Sequence, residues 1–248
     1  MADYSFSRLT AFEQCPFKYK NTYLDHKKGT PNAFSQYGSM CHAVLERCAR
    51  GEIEPYEMLD EYELGFATEI TEKFPPNEFV DLETSYHNDG AQFFTNFEGF
   101  DDLDIVEVEG KFQIEMEHPE ENYNLNGIVD LLYKDNDGEY IVRDWKSKSR
   151  FANKEEQRKY ARQLYTYAEY VNRKYGQYPK LMEFYMFRKN KKVPVKFNPD
   201  DLRETIDWMN GVVSKINAEK EWKPIHDDWF CSWLCDFRFK CPYSNLGR

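Results

Sequence analysis

The chain has 248 residues, a formal net charge of −11 and an aromatic content of 17%. Its length allows a sizeable hydrophobic core, and its aromatic content excludes an intrinsically disordered protein. No run of eighteen apolar residues is present, and the start lacks a charged-then-apolar leader. The sequence therefore predicts a soluble, unsecreted protein of the cytoplasm, not a membrane protein.

Helices and strands alternate in a mixed order along the chain. Ser5 is a typical N-cap for a first helix that runs toward Cys15. Apolar periodicity and breakers predict three further helices, then three strands, then a helix, two strands and a last helix. The helices are predicted at 36–50, 56–73, 86–98, 154–175 and 199–219. The strands are predicted at 104–117, 123–133, 139–145, 180–188 and 193–197. This order predicts an α/β (α+β) fold in which a mixed sheet is flanked by helices.

The charge is distributed unevenly. Residues 1–50 carry 7 Lys/Arg and 4 Asp/Glu, residues 51–140 carry 3 and 26, and residues 141–248 carry 23 and 14. The acidic middle could be a partner surface, a DNA mimic or a solubilising segment. The Lys/Arg clusters at 143–162 and 188–196 could neutralise nucleic-acid phosphates, or form an ordinary solvated face.

Two acidic residues and a lysine lie on one predicted β-hairpin, in the motifs Gly127-x2-Asp130 and Asp144-Trp145-Lys146. A three-residue loop at 136–138, with Gly138 in the left-handed conformation, would place Asp130 directly opposite Asp144. Because strand side chains alternate, Lys146 would share their face. Opposed carboxylates are destabilising unless a cation offsets them, so the pattern predicts a divalent metal site. The alternative is a solvated polar face, and a slip of one residue in register would remove the site.

Two pairs of polar residues are spaced four apart on predicted helices. His42 and Glu46 share one helix face, where a neutral imidazole could complete a metal site or simply form a surface pair. Gln163 and Tyr167 repeat this spacing. The glutamine could bond a phosphate or a metal-bound water, and the tyrosine could contact a nucleic-acid strand or pack in the core.

Four of the six cysteines form a separate pattern. Cys231, Cys235 and Cys241 lie within eleven residues, and Cys15 is far upstream. Thiolates in this number suit an iron–sulfur cluster or a zinc ion that would join the N-terminal helix to the C-terminal tail. The alternative is that they are ordinary core cysteines.

The motifs together resemble the RecB-like branch of the PD-(D/E)XK nuclease superfamily, especially CRISPR-associated RecB-type exonucleases and their phage-encoded relatives. The matches occur in the family's order and cover nearly the whole chain. They are Ser7-Arg8-Leu9, Cys15-Pro16-Phe17-Lys18-Tyr19, Gly38-x3-His42-x3-Glu46, Gly127-x2-Asp130, Asp144-x-Lys146, Gln163-x3-Tyr167 and the Cys-rich tail.

The resemblance implies a restriction-endonuclease-like core and a role for each matched residue. Mg²⁺ or Mn²⁺ would be bound by His42, Asp130, Asp144 and the Trp145 carbonyl, with Glu46 in support. Lys146 would orient or activate the attacking water, and Gln163 and Tyr167 would position the site and the strand. A [4Fe–4S] cluster would be bound by Cys15, Cys231, Cys235 and Cys241.

The chain departs from the family's pattern at two positions. Leu234 widens the first gap between the last three cysteines from two residues to three, which leaves zinc or a lost cluster open. Position 144 is Asp where many members carry Glu, which shortens the reach and keeps the charge.

The resemblance predicts one nuclease domain over 1–248, an acidic helical insertion at 51–100, and a cluster region of 1–20 plus 226–248. The predicted function is a metal-dependent deoxyribonuclease. It would be an exonuclease on single-stranded DNA or DNA ends, in recombination, replication, repair or CRISPR adaptation in a prokaryotic or phage-infected cell. The alternatives are a cluster-stabilised DNA-end-binding or adaptor protein, with a protein partner on the acidic 51–140 face, and a purely structural zinc protein.

Overall fold

The computed structural model describes residues 1–246, which form two compact units. The first unit comprises Met1–Asn32, Phe112–Gly127 and the segment from Pro199 onward, and the second comprises Ala33–Lys111 and Ile128–Asn198. The α-helices are α1 (Phe6–Gln14), α2 (Pro16–Tyr19), α3 (Ala33–Ala49), α4 (Met58–Glu69), α5 (Leu82–Thr95), α6 (Lys154–Tyr175) and α7 (Pro199–Ala218). The strands are β1 (Ala2–Tyr4), β2 (Asp104–Met116), β3 (Tyr123–Lys134), β4 (Tyr140–Lys146), β5 (Leu181–Met186) and β6 (Lys191–Lys196).

The strands form a six-stranded mixed sheet in the order β1-β3-β4-β5-β6, with β2 also paired to β3. The β1–β3 and β4–β5 pairs are parallel, and the β3–β4 and β5–β6 pairs are antiparallel. Helices flank this sheet. The predicted mixed α/β fold is therefore confirmed.

The second unit is built around an aromatic core between the sheet and helices α3, α4 and α5. Trp145 in β4 is completely buried in this core, and its ring contacts that of Phe100. Because side chains alternate along a strand, burial of Trp145 directs its neighbours Asp144 and Lys146 to the opposite face of the sheet. The core thereby fixes which face of β4 carries Asp144 and Lys146.

The first unit packs α1 and α7 with β1 and the first half of β3. The rings of Tyr4 and Tyr123 meet edge to face at 5.5 Å, and Tyr19 stacks on Trp222 at 5.8 Å. The buried Arg238 guanidinium donates hydrogen bonds to the carbonyls of Thr30 and Pro31, at 2.8 and 3.1 Å. The C-terminal tail is thus attached to the segment that follows the N-terminal helices.

The predicted elements agree with the structure to within a few residues, and α1 begins after Ser5, whose hydroxyl accepts from the Arg8 N–H. Strand β1 was missed because three residues carry too little periodicity. Two members of the clusters at 143–162 and 188–196 have buried side chains, so neither of the two interpretations of these clusters, a phosphate contact or a solvated face, holds for them. Arg143 is buried and bonded to Glu183 at 2.6 Å, and Arg188 stacks on an aromatic ring and pairs with Asp89 at 2.7 Å.

None of the helices within residues 1–246 combines the length and the apolar character needed to cross a bilayer.

Candidate active site

The β3–β4 hairpin has the register predicted from the sequence. Gly138 is left-handed, with φ of 81°, and its N–H donates to the Asp135 carbonyl. The paired positions run from Lys134–Tyr140 to Leu131–Arg143, so the next position places Asp130 opposite Asp144. The Asp130 carboxylate accepts a 2.7 Å hydrogen bond from the Trp145 N–H, which fixes its orientation.

Gly127, which opens the Gly127-x2-Asp130 motif, has a packing reason to be glycine. A Cβ at this position would lie 2.4 Å from the Phe112 ring, closer than any real contact. Glycine therefore allows β3 to pass that ring three residues before Asp130.

His42 on α3 points toward Asp130. Its Nε2 lies 2.9 Å from the Trp145 carbonyl, and because a carbonyl only accepts, Nε2 carries the proton. Burial lowers the pKa of His42, so the imidazole is neutral at pH 7. The lone pair of Nδ1 is then 3.7 Å from the Asp130 carboxylate, an unfavourable pair of acceptors that a cation between them would make favourable.

Glu109 on β2 completes this group, and the sequence interpretation missed it. The ligand atoms of His42, Glu109 and Asp130 all lie within 4.8 Å of one another. Glu109 has φ of 50°, the left-handed conformation that residues other than glycine rarely adopt. No local motif marks this residue. The alternation in 105–109 predicts that Glu109 shares a face with Glu107, whereas its left-handed backbone breaks this alternation.

Asp144 and Lys146 lie beside this group. Asp144 is 1% exposed, and its Oδ2 is 2.5 Å from Lys146 Nζ. That contact lacks hydrogen-bond geometry, and within the described chain Asp144 Oδ2 accepts no hydrogen bond. Burial first, and then the charge of Asp144, raise the pKa of Asp130 well above its usual value. Two adjacent buried carboxylates, one of which has a raised pKa, fit a divalent cation.

A hydrogen-bonded chain connects Lys146 to α6. Lys146 Nζ donates to Gln163 Oε1 at 2.9 Å, and Gln163 Nε2 donates to the Tyr167 hydroxyl at 2.6 Å. Burial raises the pKa of Tyr167 well above 10, so its hydroxyl stays protonated. The structure thus connects Gln163 directly, and Tyr167 through Gln163, to the lysine.

Glu46 lies outside the ligand group and pairs with Arg50 at 2.7 Å. Its negative charge nevertheless adds to the forces that raise the pKa of Glu109. Its effect on the site is therefore electrostatic.

The donor set is that of a hard divalent cation: carboxylate oxygens and one neutral imidazole. Burial, followed by the charge of Asp130, raises the pKa of Glu109 to about 7. A proton therefore competes with the cation at Glu109 below this pH.

We expect Mn²⁺ affinity to rise as the pH increases from 6 to 8, with release of protons on binding. Calorimetry in buffers of different ionisation enthalpy measures both quantities. Glu109→Gln should weaken binding and flatten this pH dependence, whereas affinity that is constant from pH 6 to 8 would contradict the assignment.

The four predicted cluster cysteines line one small cavity of the first unit. Cys15 caps α2, where its sulfur accepts from the Lys18 N–H at 3.5 Å. Cys231 lies in a π-helical turn at Phe230–Leu234, and Cys235 ends that turn with an N–H donated to the Phe230 carbonyl at 2.8 Å. The remaining cysteines, Cys41 and Cys48, are buried in the hydrophobic core of the second unit.

Comparison with known proteins identifies the family of this chain. The family model of the PD-(D/E)XK nuclease superfamily matches residues 3–242. A solved structure described as "Crystal structure of SSO0001" is similar over 97% of this chain and 85% of that chain, with 11% identity and a TM-score of 0.42. A search of curated proteins finds no match. Because the family model covers nearly the whole chain, the protein belongs to the PD-(D/E)XK nuclease superfamily, whose members use divalent metals to cleave nucleic acid.

Proposed function

We propose that the protein is a metal-dependent deoxyribonuclease of the RecB-like branch, an exonuclease acting on single-stranded DNA or DNA ends. The observation that carries this proposal is the convergence of His42, Glu109 and Asp130 on one point, beside the Asp144–Lys146 pair. This is the geometry that metal-assisted phosphodiester hydrolysis requires.

The residues divide the chemistry between them. His42, Glu109, Asp130 and Asp144 would hold Mg²⁺ or Mn²⁺, and the Trp145 carbonyl orients His42 through the 2.9 Å bond. A bound cation supplies Lewis-acid polarisation of the scissile phosphate and acidifies water. The Lys146 ammonium, held by Asp144 and Gln163, stabilises the charge that develops on the phosphate.

The surface next to the site supports a DNA substrate. Arg150, Lys154, Arg158 and Lys159 are exposed on the β4–α6 loop and the first turns of α6, the helix that also presents Gln163. Phosphates that pass along α6 would meet these cations before they reach Lys146.

We also propose that Cys15, Cys231, Cys235 and Cys241 hold a [4Fe–4S] cluster, in a cluster region of 1–20 plus 226–248. These four cysteines line one cavity, and four thiolates suit an iron–sulfur cluster or a zinc ion. Metal analysis separates the two.

The three-residue gap between Cys231 and Cys235 is compatible with this cluster. A π-helical turn contains one residue more than an α-helical turn. The turn at Phe230–Leu234 absorbs Leu234 in this way, and both cysteines still face the same cavity. The departure from the family spacing is therefore accommodated in the backbone.

The acidic insertion at 51–100 is the feature that favours the second candidate function, an end-binding or adaptor protein with secondary cleavage. Within it Phe79 is 92% exposed and Tyr56 is 81% exposed. Exposed aromatic side chains can serve as anchors when a protein partner covers them. Such a partner would belong to recombination, replication, repair or CRISPR adaptation.

Purified protein with Mg²⁺ or Mn²⁺ should degrade labelled single strands from an end. A block at the preferred end, 5′ or 3′, should stop degradation, and Asp144→Ala should abolish it. Equal cleavage of circular single strands would contradict exonuclease action. Undiminished cleavage by Asp144→Ala would contradict the active site.

The same preparation, made without oxygen, should contain about four irons and four sulfides per chain and absorb near 400 nm. A colourless protein with one zinc would contradict the cluster. Full biological activity of Asp144→Ala would favour the adaptor function over the nuclease.

A further inference from the structure

We propose that Glu107, clamped to the C-terminal turns of α6, is a positioning residue that holds Glu109 in the metal site. This proposal rests on the proposed metal-dependent function. It concerns a group of contacts outside the ligand set, which we name the Glu107 clamp: Glu107, Tyr170, Lys174 and Tyr175.

The Glu107 carboxylate is closely surrounded by donors from one helix. The Tyr170 hydroxyl lies 2.9 Å from both carboxylate oxygens, Lys174 Nζ lies 2.8 Å from Oε1, and the Tyr175 hydroxyl donates to the same oxygen. Lys174 Nζ also donates to the Tyr170 hydroxyl at 2.8 Å. The Glu107 side chain is only 10% exposed, so its bonds to Tyr170 are largely withdrawn from water, and Lys174 approaches it from the exposed surface.

The clamp lies next to a strained residue. In a regular strand, side chains two apart point to the same face, so Glu107 and Glu109 would point together. The left-handed Glu109, with φ of 50°, breaks this alternation. Such a conformation costs roughly 1–3 kcal/mol and persists only where surrounding contacts impose it. With Glu107 fixed on α6, the carboxylate of Glu109 reaches His42 and Asp130 instead.

Gly110 allows this arrangement from the other side of Glu109. A Cβ at position 110 would lie 2.0 Å from Glu107 Oε2 and 3.0 Å from the carboxyl carbon. A larger residue would therefore push the Glu107 carboxylate out of the clamp. Glycine here is required by the approach of Glu107.

The clamp also connects the two halves of the proposed site through α6. Gln163 of this helix accepts from Lys146 and donates to Tyr167, and one and two turns after Tyr167, Tyr170 and Lys174 hold Glu107. One rigid helix thereby sets both the lysine and the Glu109 carboxylate. Their separation is fixed in the absence of substrate, as preorganised catalysis requires.

The test is Mn²⁺ affinity, measured by calorimetry without DNA, at a temperature where circular dichroism shows each variant to be folded. We expect Glu107→Gln and Tyr170→Phe each to weaken binding about 10-fold, the low end for groups that orient metal ligands. Gly110→Ala should weaken Mn²⁺ binding to a similar extent. In the double variant with Glu107→Gln, the loss of binding free energy should be smaller than the sum of the two single losses. Glu109→Gln, which removes the ligand itself, should weaken binding more than any of them.

The matched controls lie in the same unit and remove bonds of the same kind. Tyr178→Phe removes a hydroxyl–carboxylate contact with Glu169, and Glu155→Gln removes an exposed ion pair on α6. Both should keep wild-type affinity. Lower thermal stability of the clamp variants with unchanged Mn²⁺ affinity would overturn the clamp's positioning role. Absence of Mn²⁺ binding by the wild-type protein would overturn the proposed metal site and the clamp together.

Discussion

Lys146→Met is expected to lower kcat of the nuclease reaction about 10²–10³-fold, the usual effect of removing one group that stabilises a developing charge. Mn²⁺ binding should survive, because the lysine is not a ligand of the proposed site. The ammonium lies 2.5 Å from Asp144 Oδ2 and donates to Gln163 at 2.9 Å, so its position is fixed before substrate arrives. Single-turnover cleavage of a labelled single strand with saturating Mn²⁺ measures the effect.

A second readout separates this loss from unfolding. Removing the lysine leaves the buried Asp144 carboxylate without its cation, at a cost of about 3–5 kcal/mol in the metal-free protein. Saturating Mn²⁺ should restore much of the lost thermal stability without restoring cleavage.

Lys180→Met, at the exposed hairpin turn where this lysine pairs with Asp135 and Asp137, is the control and should cleave at close to the wild-type rate. A Lys146→Met variant that is folded, binds Mn²⁺ and cleaves at the wild-type rate would exclude the proposed role of the lysine.

Local sequence signals were enough to predict most of the fold. Helix α6 has the same bounds in the sequence interpretation and in the structure, because Asn153 caps its start and the left-handed Gly176 ends it. The hairpin register followed from the turn at 136–138 and was confirmed. These features depend on contacts within a few residues, which a single sequence displays directly.

The candidate site was accessible to the same reasoning only in part. The hairpin and the ordered motifs indicated His42, Asp130, Asp144 and Lys146, which the structure brings together. Glu109 could not be found in this way, because its left-handed backbone depends on a helix that begins forty-five residues later. Arg143 was misjudged for the related reason that Glu183, its partner, lies on another strand.

Asp130→Asn is expected to abolish cleavage and to raise the thermal stability of the metal-free protein. Asp130 is 7% exposed, opposite the buried Asp144, and burial together with the charge of Asp144 raises its pKa. A carboxyl whose pKa is higher in the folded state destabilises that state progressively as the pH rises from the ordinary carboxyl pKa to the folded-state pKa, and fully above it. The neutral amide removes this repulsion, and its oxygen can still accept from the Trp145 N–H.

The expected gain in the free energy of unfolding is roughly 0.5–2 kcal/mol, as for other substitutions that relieve strain at a functional site. For a chain of this size, each kcal/mol raises the melting temperature by about 2–4 °C. Calorimetric melting at pH 8 with chelator should show the variant above the wild-type protein. With saturating Mn²⁺ the order should reverse, since the wild-type protein alone gains the stability of a bound cation.

The control is Asp137→Asn in the exposed hairpin turn. Its difference in melting temperature from the wild-type protein should not change sign with Mn²⁺. The proposal that the two opposed aspartates are held together for a cation is excluded by two results together. Asp130→Asn would melt below the wild-type protein with chelator, and Mn²⁺ would raise the melting temperature of both proteins equally.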